Sequence, residues 1–119
     1  MIFEDVLENI VERSDGVQGA VIMGMDGIAI GEHLVDPACI IQTVGIEYAL
    51  AIKSIQKASQ SLSAGLVQEV LINTQNNIFI LRLITDDYFI AVAMVPEGNH
   101  GKTRYLMRLS VPSLLKEFE

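Results

Sequence analysis

The chain has few of the residues that form disulfide frameworks or nucleic-acid-binding surfaces. It contains a single cysteine, Cys39, so no internal disulfide can form, and this fits a reducing cytosol. Basic residues are scarce as well: 8 Lys and Arg stand against 15 Asp and Glu, a formal net charge of −7. Because proteins that coat phosphates depend on clustered Lys and Arg, this balance argues against nucleic acid as a partner.

Long apolar runs are also missing. Half of the residues are hydrophobic, yet no uncharged apolar run approaches the roughly 20 residues that span a bilayer, so we expect no direct membrane insertion. The first residues, Met1 to Asp5, are acidic, and we therefore expect no secretory signal and a cytoplasmic protein. At 119 residues, of which only 19% are charged, residues 1–119 should form one domain that hides apolar surface in an oligomer or complex.

Residues that could hold a metal or carry out nucleophilic catalysis are few. His33 and His100 are the only histidines. Together with Cys39 they match no closed zinc pattern and lack a fourth ligand. No recognisable motif places either histidine beside a serine or cysteine as its base. We therefore expect no catalytic residue and no metal site, and Cys39 is expected to act as a small hydrophobic side chain at a contact.

One loop has the outward form of a phosphate-binding loop. Residues 98–103 (GNHGKT) follow a predicted strand and precede a predicted helix. The P-loop pattern needs a glycine where this chain has Pro96, so the pattern fails and we expect no nucleotide cofactor. Exposed N–H groups and Lys102 could still favour a simple anion at this helix start.

Hydrophobic periodicity predicts an alternation of helices and strands. The predicted elements are a helix at Ile2–Arg13, strands at Val17–Met23 and Ile28–Glu32, a helix at Asp36–Ser63, strands at Leu66–Thr74, Ile78–Ile84 and Tyr88–Val95, and a helix from about His100 to the C-terminus. The short connections require antiparallel neighbours. The order α-ββ-α-βββ-α thus favours an α/β (α+β) sandwich, a five-stranded antiparallel sheet with helices on both faces. Pro112 should kink the last helix or divide it in two.

The long second helix carries apolar residues on two sides. Asp36 and Pro37 suit its N-cap and first helical position. The stripe expected to face the core consists of Ile40, Ile41, Val44, Tyr48, Ala51, Ile52, Ile55, Ala58 and Leu62. At about 100° per residue, Cys39, Ile46 and Leu50 project from roughly the opposite side. Since a monomer has little reason to place apolar side chains there, this second side predicts a partner.

The strand that follows this helix reads as an edge strand. Leu66–Thr74 mixes polar residues with apolar ones, whereas the two later strands are almost continuously apolar. A free apolar edge is an unused pairing surface that proteins usually block or pair. In the next strand Arg82 stands alone among apolar residues. It either pairs with a buried acid or lies near the rim of the sheet.

Several of these features together resemble the roadblock/dynein light chain family, and within it the stand-alone prokaryotic members related to MglB. They are the element order, the hairpin at Met25-Asp26-Gly27-Ile28, the long central helix and the tail Asn99-x-Gly101-x-x-Arg104-x-x-Met107. The resemblance implies a compact profilin-like sandwich. It also implies homodimers in which the third strands pair across a two-fold axis and the central helices lie side by side.

The resemblance further implies a role beside small Ras-like GTPases. Roadblock proteins of this type act as platforms, co-GAPs or exchange helpers, and MglB-type members contribute no arginine finger. The residues expected at the homodimer interface are Cys39, Ile46, Leu50, Leu66, Gln68, Val70 and Ile72. The residues expected to face the GTPase are Gln42, Lys53, Gln56, Lys57 and Gln60. A bent last helix would alter any contact that a C-terminal extension makes in some relatives.

Two other functions fit the same sequence. The chain could be a structural adaptor subunit of a motor or membrane-associated scaffold, indifferent to nucleotide state. It could also be a small-molecule sensor of the profilin-like or PAS-like kind, although no cluster of polar ligand anchors is apparent. A GTPase gene beside this one would favour the regulator over the adaptor.

Overall fold

The computed structural model describes residues 2–119, and its elements follow the order expected from the sequence. They are α1 (Ile2–Glu12), β1 (Val17–Gly24), β2 (Ala29–Leu34), α2 (Ile41–Ser61), β3 (Glu69–Asn73), β4 (Ile78–Leu83), β5 (Tyr88–Met94) and α3 (His100–Glu117). No helix within this range is long and apolar enough to cross a membrane.

The five strands form one antiparallel sheet in the order β2-β1-β5-β4-β3. Helices α1 and α3 cover one face, where Leu7, Ile10 and Met107 pack against inward residues of the central strands. Helix α2 covers the other face, where Ile41 and Ile52 pack against Phe89 and its neighbours. Both faces of the central strands are buried, which accounts for their continuous hydrophobicity. The predicted fold class is confirmed.

The β1–β2 hairpin turns where the sequence predicts it. Gly27 has φ of +87°, a conformation that favours glycine because it has no Cβ. The Asp26 carboxylate accepts a hydrogen bond from the Ile28 N–H at 3.0 Å. The turn thus satisfies its own backbone through a short polar side chain.

Helix α2 begins later than predicted. It starts at Ile41 rather than at Asp36, and its N-cap is Ile40, whose side chain makes no capping hydrogen bond. Asp36 instead forms a turn: its carboxylate accepts from the Ala38 N–H at 2.9 Å, and its carbonyl accepts from the Cys39 N–H at 2.9 Å. Asp-Pro favours such turns as well as helix starts, and here the turn prevailed. Cys39 therefore lies before the helix.

The stripe of α2 predicted to face the core is partly wrong. The buried residues are Ile41, Gly45, Ala49 and Ile52, whereas Ile40, Ala51, Ile55, Ala58 and Leu62 are exposed. The buried side is thus rotated by roughly a quarter turn from the predicted one. Small residues explain the rotation, because a Cβ on Gly45 would come within 2.8 Å of the Met23 sulfur. The helix packs closest where its side chains are smallest.

The predicted division of the last helix is also wrong. Helix α3 runs from His100 to Glu117 with Pro112 inside it. Proline removes one backbone hydrogen bond, but the helix is held on both sides of it. Leu106 and Met107 are buried before the proline and Leu114 after it. Packing of these side chains keeps the two halves in one helix.

Candidate protein-protein interface

Helix α2 has exposed apolar side chains on both sides of its buried stripe. We define the hairpin-side flank as Gln42, Ile46, Leu50, Lys53, Lys57 and Gln60, and the β3-side flank as Ala51, Ile55, Ala58 and Leu62. Leu50 is 60% exposed on the first flank, and Leu62 is 78% exposed on the second. Both flanks therefore carry apolar surface that this chain leaves uncovered.

Contacts of α2 with the sheet show which way each flank faces. The Gln42 amide donates to the Glu32 carboxylate on β2 at 3.1 Å, and a Cβ on Gly27 would lie 3.4 Å from Ile46. On the opposite side, the Tyr48 ring lies 5.1 Å from that of Phe79 on β4. By helical spacing, Ala51 and Ile55 follow Tyr48 along that side. The β3-side flank therefore faces the edge of the sheet that β3 forms.

Strand β3 offers a free backbone edge beside this flank. The Leu83 N–H donates to the Gln68 carbonyl at 3.0 Å, and the Thr74 N–H donates to the Asn77 carbonyl at 2.9 Å. In an antiparallel pair, the backbone groups of alternate residues face the partner strand. Since Gln68 and Thr74 bond to β4, the register places the backbone groups of residues 70 and 72 toward β4 as well, and those of the residues between them away from it. The backbone groups of Glu69, Leu71 and Asn73 consequently face the free edge. The predicted edge strand is confirmed, although it is shorter than expected.

The predicted interface residues are divided between several places. Val70 and Ile72 pack half-buried against the α2 side of the core, and so does Cys39, which lies below the exposed surface. Leu66 is 75% exposed and, like Gln68, precedes β3. Ile46 and Leu50 lie on the hairpin-side flank, together with most of the residues expected to face a GTPase. The one predicted GTPase-facing residue outside this flank is Gln56, which is half-buried.

The sequence prediction missed the β3-side flank as an exposed surface. The periodicity predicts Ala51, Ile55 and Ala58 in the core because they share a helical stripe with half-buried residues such as Val44 and Tyr48. The sequence feature that indicates the buried side of α2 is the pair Gly45 and Ala49. Their small size lets this side of the helix lie closest to the sheet.

The environment of Cys39 keeps its thiol protonated. Burial raises the pKa of Cys39, and the nearby Asp36 and Glu32 carboxylates raise it further. A thiolate is therefore disfavoured, contrary to what a position in the first turn of a helix would have produced. The thiol instead packs close to the backbone of β1, since a Cβ on Gly19 would meet its sulfur at 2.9 Å.

Arg82 faces an acid on the neighbouring strand. Its Nη1 lies 3.9 Å from a carboxylate oxygen of Glu69. The same carboxylate accepts two hydrogen bonds from Arg104 of α3, from Nε at 2.5 Å and from Nη2 at 3.2 Å. The hydrogen bond to Glu69, together with its charge, raises the pKa of Arg104. Glu69 thus joins β3, β4 and α3 through two arginines.

In the loop that resembles a phosphate-binding loop, a side chain of the loop itself binds one of the backbone N–H groups. Asn99 caps α3, and its side-chain oxygen accepts from the Lys102 N–H at 3.1 Å. One of the N–H groups that an anion would need is therefore already bonded. Within residues 2–119, no group of three or more His, Cys, Asp and Glu is placed to hold a metal ion.

Comparison with known proteins identifies the family through solved structures. No protein-family model matches the chain, and no curated protein does either. MglC from Myxococcus xanthus is 31% identical, with a TM-score of 0.69, and the alignment covers 98% of this chain and 99% of that one.

Two further structures share the fold at lower identity. A Roadblock/LC7 domain from Streptomyces avermitilis is 17% identical with a TM-score of 0.85, over 97% of this chain and 96% of that one. MglB from Myxococcus xanthus is 8% identical with a TM-score of 0.87, over 99% of this chain and 95% of that one. Because the 31% identity to MglC extends over nearly all of both chains, this chain belongs to the roadblock family.

Proposed function

We propose that this chain is a homodimeric, non-catalytic regulator or platform for a small Ras-like GTPase in the cytoplasm. The observation that carries the proposal is the pair of exposed apolar flanks on α2, of which one adjoins the free edge of β3. A single interface would need only one flank. Two flanks on opposite sides of one helix allow a second copy and a different partner to bind at the same time.

The β3-side flank and the free β3 edge together form the proposed dimer interface. Pairing of two β3 edges satisfies the outward backbone groups of Glu69, Leu71 and Asn73. Ala51 and Ala58 are small enough for two α2 helices to approach closely. Ile55 and Leu62 supply apolar area. Complete burial of an exposed side chain of this size contributes about 1.5–3 kcal/mol, so Leu62, which is 78% exposed, contributes more than Ile55, which is 37% exposed.

The hairpin-side flank is the proposed GTPase-binding surface. It combines apolar Ile46 and Leu50 with the polar heads of Gln42, Lys53, Lys57 and Gln60, an apolar centre with a polar rim. A regulator that supplies no catalytic group acts by binding one nucleotide state of the GTPase better than the other. Preferential binding to one arrangement of the switch region would position the GTPase's own catalytic groups.

Complex formation with a GTPase encoded beside this gene tests the proposal. The purified protein is mixed with that GTPase loaded with GTP or with GDP, and binding and GTP hydrolysis are followed. We expect tighter binding to one nucleotide state, and we expect Leu50→Glu to weaken it at least about tenfold by placing a charge in the apolar centre. Lys116→Gln, on the far face of the sheet, serves as the control.

Two outcomes would contradict the regulator function. Binding of equal strength to both nucleotide states would indicate a structural adaptor instead. Absence of any binding to a GTPase encoded nearby would contradict the GTPase part of the proposal, and only the homodimer would remain proposed.

A further inference from the structure

An arginine-lined pocket lies on the sheet face opposite α2, next to β3. We propose that it binds carboxylate side chains of an acidic segment of a partner protein. The pocket has a volume of about 210 Å³ and is lined by Glu69, Arg82, Gly101, Arg104, Tyr105 and Arg108. These include three of the chain's four arginines.

The fold brings these residues together from three elements. Glu69 of β3 and Arg82 of β4 are directly opposite in the strand register, so both side chains point to the same face. Gly101, Arg104 and Arg108 follow the spacing of a single helical stripe on α3. Gly101 has no side chain and contributes only backbone to the pocket lining.

The charges in the pocket are not balanced internally. Glu69 is engaged by Arg104 through two hydrogen bonds and reaches Arg82 only at 3.9 Å. Among residues 2–119, the buried Arg82 Nε has no hydrogen-bond partner. Three guanidinium groups therefore face one carboxylate, in a chain whose net charge is −7. The Arg82 Nε is itself closed to solvent, so the donors open to another carboxylate are those of the exposed Arg108.

The rim of the pocket resembles a protein-binding surface. The Arg108 guanidinium lies 5.7 Å from the centre of the Tyr105 ring. Tyr105, which also lines the pocket, is 52% exposed. Exposed Tyr and Arg are the side chains that most often dominate protein interfaces. Because carboxylates are the anionic side chains of proteins, a protein-binding rim beside arginines favours a carboxylate as the bound group.

The arginine side chains themselves report on this site by nuclear magnetic resonance. Their four Nε–Hε signals are followed while hexaglutamate is added, with hexaglutamine as the uncharged peptide and inorganic phosphate as a separate anion. We expect saturable shifts of the Arg82 and Arg108 signals with hexaglutamate. Arg13, remote from the pocket, is the internal control and should not shift.

Charge-removing variants complete the test. Arg108→Gln should weaken hexaglutamate binding at least tenfold, whereas Lys116→Gln, an equal charge change on the same helix, should leave the affinity within twofold. Equal losses in both variants, or shifts of all four arginines without saturation, would mean non-specific attraction and overturn the proposal. Saturable binding of phosphate without hexaglutamate binding would overturn the carboxylate assignment. None of these measurements needs a GTPase.

Discussion

Cys39 and Arg82 show how neighbouring groups set the chemistry of single polar residues in this fold. Cys39 lies among apolar side chains with Asp36 and Glu32 close enough to raise its pKa. Arg82 has Glu69 within 3.9 Å, but the buried Nε of its guanidinium has no partner among residues 2–119. Burial and negative neighbours thus make the thiol of Cys39 unreactive, and burial leaves Arg82 with a donor that has no partner.

Cys39 should react slowly with alkylating reagents in the folded protein. The folded chain holds the thiol proton more tightly than the unfolded chain, because burial and two carboxylates raise its pKa. The resulting stabilisation of the folded state is fully present below the pKa of cysteine in the unfolded chain. It is lost as the pH rises through the higher pKa of Cys39 in the folded chain. The pH profile of iodoacetamide alkylation, followed by mass spectrometry, should be displaced to higher pH than that of the urea-unfolded chain.

A comparison of midpoints separates this effect from simple shielding. Shielding alone would lower the alkylation rate at every pH and leave the midpoint of the profile unchanged. A folded-state midpoint at or below that of the unfolded chain would contradict the assignment.

At the scale of elements, α2 and α3 each depart from their predicted form because of packing. The position of α2 follows Gly45 and Ala49 rather than its larger side chains. Helix α3 continues through Pro112 because buried residues hold it on both sides. In both helices tertiary contacts outweigh a local preference of one to a few kcal/mol.

Replacing Pro112 should stabilise the protein. Pro112 is exposed, so Pro112→Ala removes no buried contact and restores an N–H that can bond to the Arg108 carbonyl. We expect the free energy of unfolding to rise by about 1–3 kcal/mol, as measured by urea denaturation. Ser113→Ala, at the next exposed position, should change it by less than about 0.5 kcal/mol. A loss of stability in Pro112→Ala would show that the fixed backbone of proline stabilises the helix more than the restored hydrogen bond does.

On the scale of the whole molecule, this small sandwich has three surfaces that carry different side chains, although Glu69 of β3 contributes to two of them. The β3-side flank lies beside the free β3 edge, the hairpin-side flank lies across α2 from it, and the arginine pocket lies on the opposite sheet face. Since Leu50, Ile55 and Arg108 each belong to only one of these surfaces, a substitution at each position tests one surface without altering the side chains of the others.

The dimer assignment is tested by a matched pair of charge insertions on α2. Ile55→Glu should yield monomers in light scattering, with a dimer weakened by about 100-fold or more, because two unpaired carboxylates would be buried near the two-fold axis. Leu50→Glu should remain dimeric. The reverse result, with Leu50→Glu monomeric and Ile55→Glu dimeric, would instead support the interface that was expected from Ile46 and Leu50.

Sequence patterns were sufficient where one local rule acted alone. Asp26-Gly27 predicts the hairpin because glycine adopts its backbone conformation without strain, and the polar residues of β3 predict an edge. At Asp36-Pro37 two signals compete, because the pair suits both a turn and a helix start, and the sequence therefore predicts a helix that begins too early. Arg82 could not be assigned at all, since its partner Glu69 is known only once β3 and β4 are in register.

The sequence by itself determined the element order, the antiparallel sheet and the resemblance to roadblock proteins, because hydrophobic period and turn chemistry act over a few residues. The tertiary structure decided which side of α2 is buried, where its two apolar flanks face, and that three arginines meet at one pocket. These features depend on the fit of Gly45 and Ala49 against the sheet and on strand register. Both are contacts between segments far apart in the chain, and local patterns do not encode them.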